Sequence, residues 1–222
     1  MSEDLKKSLK PIPETDEVEG SREKLKEVAI RLFAERGLDG VSTRDIAREA
    51  GVNMSLISYY FGGKEGLYKT AVFEFAQAAA AELNQLTDGY NLESLDRESF
   101  VSLMRGVIEG IVNFKLSSPH MSELMMREVL AGLPHLREVY EKLSNSVATR
   151  LMSVLSIAQS RGLLRQDVNV QVVFFSMVHS MDSYFFARKC ETPFTQAFYR
   201  LPEEKHLLID QFVKIFVEGV ME

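Results

Sequence analysis

Residues 43 to 61, TRDIAREAGVNMSLISYYF, bring together hydroxyl, guanidinium, amide and phenol groups that can hold phosphate and read base edges. Ser42 and Thr43 put hydroxyls and backbone N–H groups at an expected helix start, which is an anion site. A second such start follows Gly62-Gly63, where Lys64 adds an ammonium and the glycines let the backbone approach closely. Tyr59 and Tyr60 can donate phenolic hydrogen bonds to phosphate. Contacts of this kind position a protein on a duplex and carry no sequence information. Readout then falls to Arg44, Asn53, Met54, Ser55 and Ser58. Arg44 can donate bidentately to guanine and Asn53 to adenine. The bland alternatives are a surface arginine and a helix-capping asparagine.

Those groups need a scaffold, and the local sequence supplies one. Ser21 fits an N-cap, and Leu25, Val28, Ala29, Leu32 and Phe33 follow at helical spacing, with Gly37 as the stop. A second helix is expected from Ser42 or Thr43 to Gly51. A third runs from an Asn53 cap through Tyr60, and Gly62-Gly63 breaks it. Two short helices joined by a turn that holds a glycine have the layout of a helix-turn-helix. Ala47 is small where the helices cross, Ile46 and Val52 fill the space between, and Ile57 faces the core. The third helix, about 10 Å long at 1.5 Å per residue, fits a major groove about 12 Å wide.

A fourth helix starts near Lys64 and continues through the alanine-rich stretch Ala76 to Ala81. Polar residues from Thr87 to Asp96 separate it from helices expected at 97–117, 120–131, 134–161, 168–188 and 203–220. Pro119, Pro134, Gly162, and Pro193 with Pro202 mark the breaks. No segment alternates with period two for long enough to make a strand, and no internal repeat is visible. The expected fold class is all-α.

Gly37 through Tyr68, GLDGVSTRDIAREAGVNMSLISYYFGGKEGLY, resembles the DNA-binding domain of TetR-family transcriptional regulators. The matching elements are the glycine before the second helix, Thr43 with Ile46-Ala47, Ala50-Gly51-Val52, the aromatic pair ending in Phe61, and Lys64-Glu65-x-Leu67. The wording NMSLISYYFGGKEGLY is closest to the CecR-like subgroup. Ser58 stands where the family often has a tyrosine, and Tyr60 where a histidine is usual; this implies that Tyr59 or Tyr60 makes the phosphate contact. The resemblance implies an N-terminal three-helix head joined to a larger helical ligand-binding and dimerisation domain. Pro11, Pro13, acidic charge and the lack of periodicity make residues 1–20 an expected flexible tail, with the head then at 21–67 and the body at 68–222. The resemblance further implies a homodimer that uses its last two helices, a near-palindromic double-stranded DNA operator, and repression relieved by a small molecule.

Composition fits that picture. Of the 222 residues 45% are hydrophobic and 26% charged, as in a globular chain. Net charge is −6, yet residues 21 to 70 carry nine basic against seven acidic side chains, so a less acidic module precedes an acidic body. An acidic body limits non-specific attachment to DNA. No run approaches the roughly 18 apolar residues of a membrane span, and the first 20 residues lack the apolar core of a secretory signal. A single cysteine, Cys190, excludes a disulfide framework and a multi-cysteine zinc site, and the expected compartment is the cytoplasm. The competing classes are an all-helical enzyme and a protein-binding adaptor. The common catalytic fingerprints are absent, and the histidines at 120, 135, 179 and 206 do not cluster, His135 with Glu138 being the nearest to a pair. No cofactor or metal is expected.

In the body, Phe100, Leu103, Met104, Val107, Ile111 and Phe114 form one expected face. Leu124, Met125, Val129 and Leu133 form a second, and Leu151, Val154, Leu155 and Ala158 a third. The many methionines suit a pocket for a small apolar or amphipathic effector. Its candidate lining is Met104, Arg105, Met125, Met177, His179, Met181 and Asp182. Helix 168–188 is apolar nearly all round, so one side should meet a partner chain. Phe175 and Phe186 there, with Leu208, Phe212, Ile215 and Phe216 on the last helix, are the candidate dimer interface.

Overall fold

A computed structural model of the chain describes residues 15–189, 192 and 204–222. Among these, nine α-helices occur and no strand; Leu164 and Met221 form an isolated bridge. Contacts divide the chain into two compact units that part between Val72 and Phe73. Cys190, Pro193 and Pro202 lie outside the described residues.

The N-terminal unit holds α1 (Thr15–Arg36), α2 (Thr43–Ala50), α3 (Ser55–Phe61) and the first turns of α4 (Lys64–Asp88). Helix α1 begins six residues before the expected cap, so Ser21 lies inside it. Leu25, Ala29, Leu32 and Phe33 from α1 are buried with Ile46, Ala47 and Ala50 from α2, Ile57 and Phe61 from α3, and Leu67 and Tyr68 from α4. The Phe33 and Tyr68 rings meet edge to face, 5.0 Å between centroids. Gly66 is there because α4 passes the carbonyl of Phe61, which would lie 1.7 Å from an added Cβ.

The C-terminal unit contains the rest of α4, then α5 (Arg97–Ser117), α6 (Pro119–Leu130), α7 (Arg137–Ser160), α8 (Val170–Lys189) and α9 (Lys205–Phe216). Its core runs through Phe100, Leu103, Met104, Val107, Ile108 and Val112 of α5 to Leu151, Val154 and Leu155 of α7. Met177, Met181 and Tyr184 of α8, with Leu208, Ile209, Phe212 and Val213 of α9, complete it. The expected α5 face is shifted by part of a turn, since Ile108 and Val112 are buried while Ile111 and Phe114 are only half-buried.

Helix α6 departs further from expectation. Its buried stripe is Met121, Leu124 and Glu128, while Val129 is exposed. Glu128 is buried because its carboxylate receives the backbone N–H groups of His135 (3.1 Å) and Leu136 (3.3 Å) just before α7. His135 Nδ1 lies 3.0 Å from the same carboxylate, so Glu128, and not Glu138, is its neighbour. Leu133 takes positive φ (59°) in the connecting turn, where its N–H donates to the Glu128 carbonyl.

Candidate nucleic-acid interface

The first helix of the reading head is fixed at both ends. Ser42 Oγ accepts the Asp45 N–H at 3.1 Å, and the Asp45 carboxylate returns to the Ser42 N–H at 3.2 Å, a capping box. Such a cap stabilises a helix by about 0.5–2 kcal/mol. The Ser42 hydroxyl also donates to that carboxylate, and these hydrogen bonds hold the Asp45 carboxyl below the usual carboxylate range. Ser42 is therefore occupied by the fold. The exposed guanidinium of Arg44 and the half-buried Thr43 remain on the outer side of this helix start.

At the other end Gly51 adopts φ 67°, ψ 31°. Its N–H donates to the Arg48 carbonyl and the Val52 N–H to that of Ala47, which closes α2 and turns the chain sharply. Lys24 Nζ of α1 lies 4.0 Å from where a Cβ on Gly51 would stand, so a cation sits beside this turn. Sequence reading missed Lys24, because nothing on α1 distinguishes it from other exposed lysines. Arg31 of α1 pairs with Glu49 and fixes α2 from its outer side.

Asn53 leads into α3. Its Oδ1 accepts the N–H and the hydroxyl of Ser55, both at 2.9 Å, so the oxygen caps the helix and the amide NH2 is the part left to donate. With Ile57 and Phe61 buried, α3 turns Met54, Ser55, Ser58 and Tyr59 outward, at spacings that share one helix face. Tyr59 is 79% exposed; Tyr60 is half-buried and meets both the Tyr59 ring (5.1 Å) and the Phe61 ring (6.0 Å). Lys64 has a partner within the fold. Its ammonium donates to the Leu38 carbonyl at 2.8 Å, so it ties the start of α4 to the turn between α1 and α2.

This arrangement is a helix-turn-helix whose second helix offers an exposed face of hydroxyl, thioether and phenol groups. The N-terminal model for bacterial regulatory proteins of the tetR family matches residues 25–71. A tetracyclin repressor-like C-terminal domain matches residues 101–209. The chain belongs to the TetR family. It is thus a transcriptional regulator and not an enzyme. It is 30% identical over 119 residues to the probable regulator YttP of Bacillus subtilis, 54% of this chain and 55% of YttP, so that alignment spans about half of its relative. It is 26% identical over 168 residues to the transcriptional repressor NicS of Pseudomonas putida, covering 75% of each chain. The fold is similar to that of the ketosteroid transcriptional regulator KstR2 of Mycobacterium tuberculosis, with a TM-score of 0.68, 20% identity, and coverage of 90% of this chain and 95% of that one.

The TetR-type body distributes its expected effector residues unevenly. Met104, Met177 and Met181 are fully buried among one another's neighbours in the core. Met125 is half-buried on α6. Arg105 donates to Asp210 of α9 at 2.6 Å and is partly exposed, so it clamps α5 to α9. Asp182 is buried and pairs with Lys115 of α5, which sequence reading did not single out. His179 Nδ1 is 3.4 Å from Asp182 Oδ2, and its ring packs on Phe175 at 4.1 Å. A recess of about 210 Å³ opens beside this ion pair, between the end of α5, the start of α6 and the end of α8. A larger one, about 490 Å³, is an open groove along α7, and among the described residues its lining carries no charge.

The interface candidates also separate. Phe175 and Ile215 are 62% and 57% exposed, and Phe186 is partly exposed. Leu208 and Phe212 are 5% and 7% exposed and serve their own chain's core, contrary to the expectation that they face a partner. Phe216 is half-buried and stacks on Phe212 at 6.1 Å. The helical stripe signals burial; it cannot say which chain does the burying. Among the described residues no group of three His, Cys, Asp or Glu could hold a metal ion, and no helix is long and apolar enough to cross a membrane.

Proposed function

We propose that the protein is a cytoplasmic, dimeric repressor that occupies a near-palindromic operator and leaves it when a small apolar or amphipathic molecule binds the body. The exposed outer face of α3 carries the DNA-binding part of this reading: Met54, Ser55, Ser58 and Tyr59 point away from a core that fully accounts for Ile57 and Phe61. Within the proposed head, 21–67, Thr43, Tyr59, Tyr60 and Lys64 supply phosphate contacts, and Lys24 joins them. Arg44, the Asn53 amide, Met54, Ser55 and Ser58 face the bases. Asp45 holds Ser42 through both its hydroxyl and its backbone N–H, so Ser42 serves by fixing the helix start that presents Thr43 and Arg44.

Two heads must sit about 34 to 36 Å apart, or a multiple, to reach successive major grooves. A second copy would cover the faces that α8 and α9 leave open, at Val172, Phe175, Phe186, Leu207 and Ile215. Repression is supported by likeness to NicS, which is named a repressor. An effector can shift the head separation only by its differential affinity for the two states. Binding-site selection with the purified full chain tests the core of the proposal. Enrichment of an inverted repeat whose half-sites are one helical turn apart, or a multiple of it, is expected. Recovery of unrelated sequences at equal frequency would refute it.

A further inference from the structure

We infer that the recess between α5, α6 and α8 takes a small organic carboxylate, its charged head on Lys115 and its apolar part against Leu116, Pro119, Phe185 and Phe186. The inference rests on the effector reading above and names the chemistry of the guest.

The donor inventory carries it. Lys115 is only 11% exposed in its side chain, and its ammonium has three N–H donors. Asp182 Oδ1 accepts one of them. The Phe114 ring lies 5.7 Å from the ammonium, but among the described residues Asp182 is its one hydrogen-bond acceptor, and burial of a charge is tolerated only when pairing and hydrogen bonding are complete. The remaining donors border the recess, whose lining is otherwise mostly apolar. A second feature favours a negative guest there. Helix α6 begins at Pro119, which has no N–H, and Ser118 before it makes no side-chain cap. The positive end of a twelve-residue helix is thus uncapped on the same side.

An organic cation is the competing guest, since Glu123 and Asp182 also line the recess. The Asp182 carboxylate is already engaged: it accepts from Lys115 and has His179 beside its second oxygen. Glu123 makes no hydrogen bond to His120, whose Nδ1 is 3.7 Å away. At Asp182 a cation would have to compete with Lys115, whereas a carboxylate meets ammonium donors that have no acceptor among the described residues. The volume, about 210 Å³, is below the roughly 300 Å³ at which ordinary ligand pockets begin, so the guest is one ring or a short chain.

Calorimetric titration of the full chain with benzoate, hexanoate, benzamide and benzylamine tests this. Saturable binding of both acids is expected, at least tenfold tighter than benzamide, with benzylamine weakest. In the double variant Lys115→Met/Asp182→Asn, which leaves neither charge without its partner, benzoate should fall to the affinity of benzamide. Leu116→Trp, a change at a partly exposed position, should fill the recess and abolish binding of both acids. Unchanged benzoate affinity in the double variant, tighter binding of benzylamine, or no saturable binding of either acid would overturn the inference. Operator retention titrated with the same acids separates it from the effector reading. Binding without release keeps the site and removes its regulatory role. Release that persists unaltered in Leu116→Trp removes the site and leaves an effector to be sought elsewhere in the body.

Discussion

Lys64 offers a test in which positioning and phosphate contact give different signatures. Its ammonium donates to the Leu38 carbonyl at 2.8 Å in a partly buried setting. Lys64→Met keeps the apolar stem and removes the donor. A hydrogen bond to a charged group contributes about 1.5–3 kcal/mol when buried, and partial exposure places this one near or below the lower end. The urea midpoint of the head should therefore fall by a modest, measurable amount. Phosphate contact predicts something else. A neutralised phosphate contributes about 0.9 to the slope of log K against log salt. Two heads lose two such contacts, so the slope should flatten by about 1.8 in the dimer. Between 200 and 50 mM salt the wild-type advantage should then grow about twelvefold. Fluorescence anisotropy on the selected operator, with salt varied at fixed pH, reads this directly. Parallel salt lines with a lowered urea midpoint would make Lys64 a structural clamp alone. An unchanged midpoint would refute the role given to the Leu38 bond.

Three other expectations follow from particular contacts. Gly66→Ala puts a methyl against the Phe61 carbonyl and should destabilise the head by about 1–3 kcal/mol or more, read as a lowered melting transition and lost operator binding; a wild-type melt would mean that α4 does not pass so close. Phe212→Glu buries an unpaired charge in the chain's own core and should unfold the body, whereas Ile215→Glu with Phe175→Glu should give folded monomers in sedimentation; a folded dimer from the latter pair removes those faces from the interface. The hydrogen bond from Arg105 holds the Asp210 carboxyl below its usual value near 3.8, so its contribution is present above that pH and lost as pH falls through the lower folded value. Asp210→Asn should melt below wild type at pH 7, and the gap should close as pH falls below about 3.8; a gap that persists in acid would show that charge is not its source.

The head was legible because its decisive features are dictated by the backbone. A serine cap at Ser42 and glycines at 51 and 62 with positive φ fix where each helix starts and stops, whatever surrounds them. The outward face of α3 then follows from the buried positions of Ile57 and Phe61. Side-chain engagement was harder to read. The spacing that makes Ser42 a cap also makes it a candidate anion ligand, and only the Asp45 carboxylate in place decides between them. Lys64 and Leu38 are 26 positions apart, and no local pattern pairs them.

In the body the same limit acts on whole helices. Periodicity finds apolar faces correctly, as in Leu151, Val154, Leu155 and Ala158 of α7, because any covering neighbour produces the same 3.6-residue stripe. It is silent on what that neighbour is. Met104, Met177 and Met181 could equally line a guest or meet one another, and in the folded chain they meet the core. The useful discriminator is charge taken out of water. A buried ammonium or carboxylate must be matched by named partners, so each one asks a question that an apolar side chain does not. Glu128 answers it within the fold, through the backbone N–H groups before α7. Lys115 answers it only in part, with Asp182 as its acceptor and a recess along its remaining donors. That difference, between a buried charge the fold completes and one it leaves incomplete, is the physical ground for seeking the guest at Lys115 and not among the methionines.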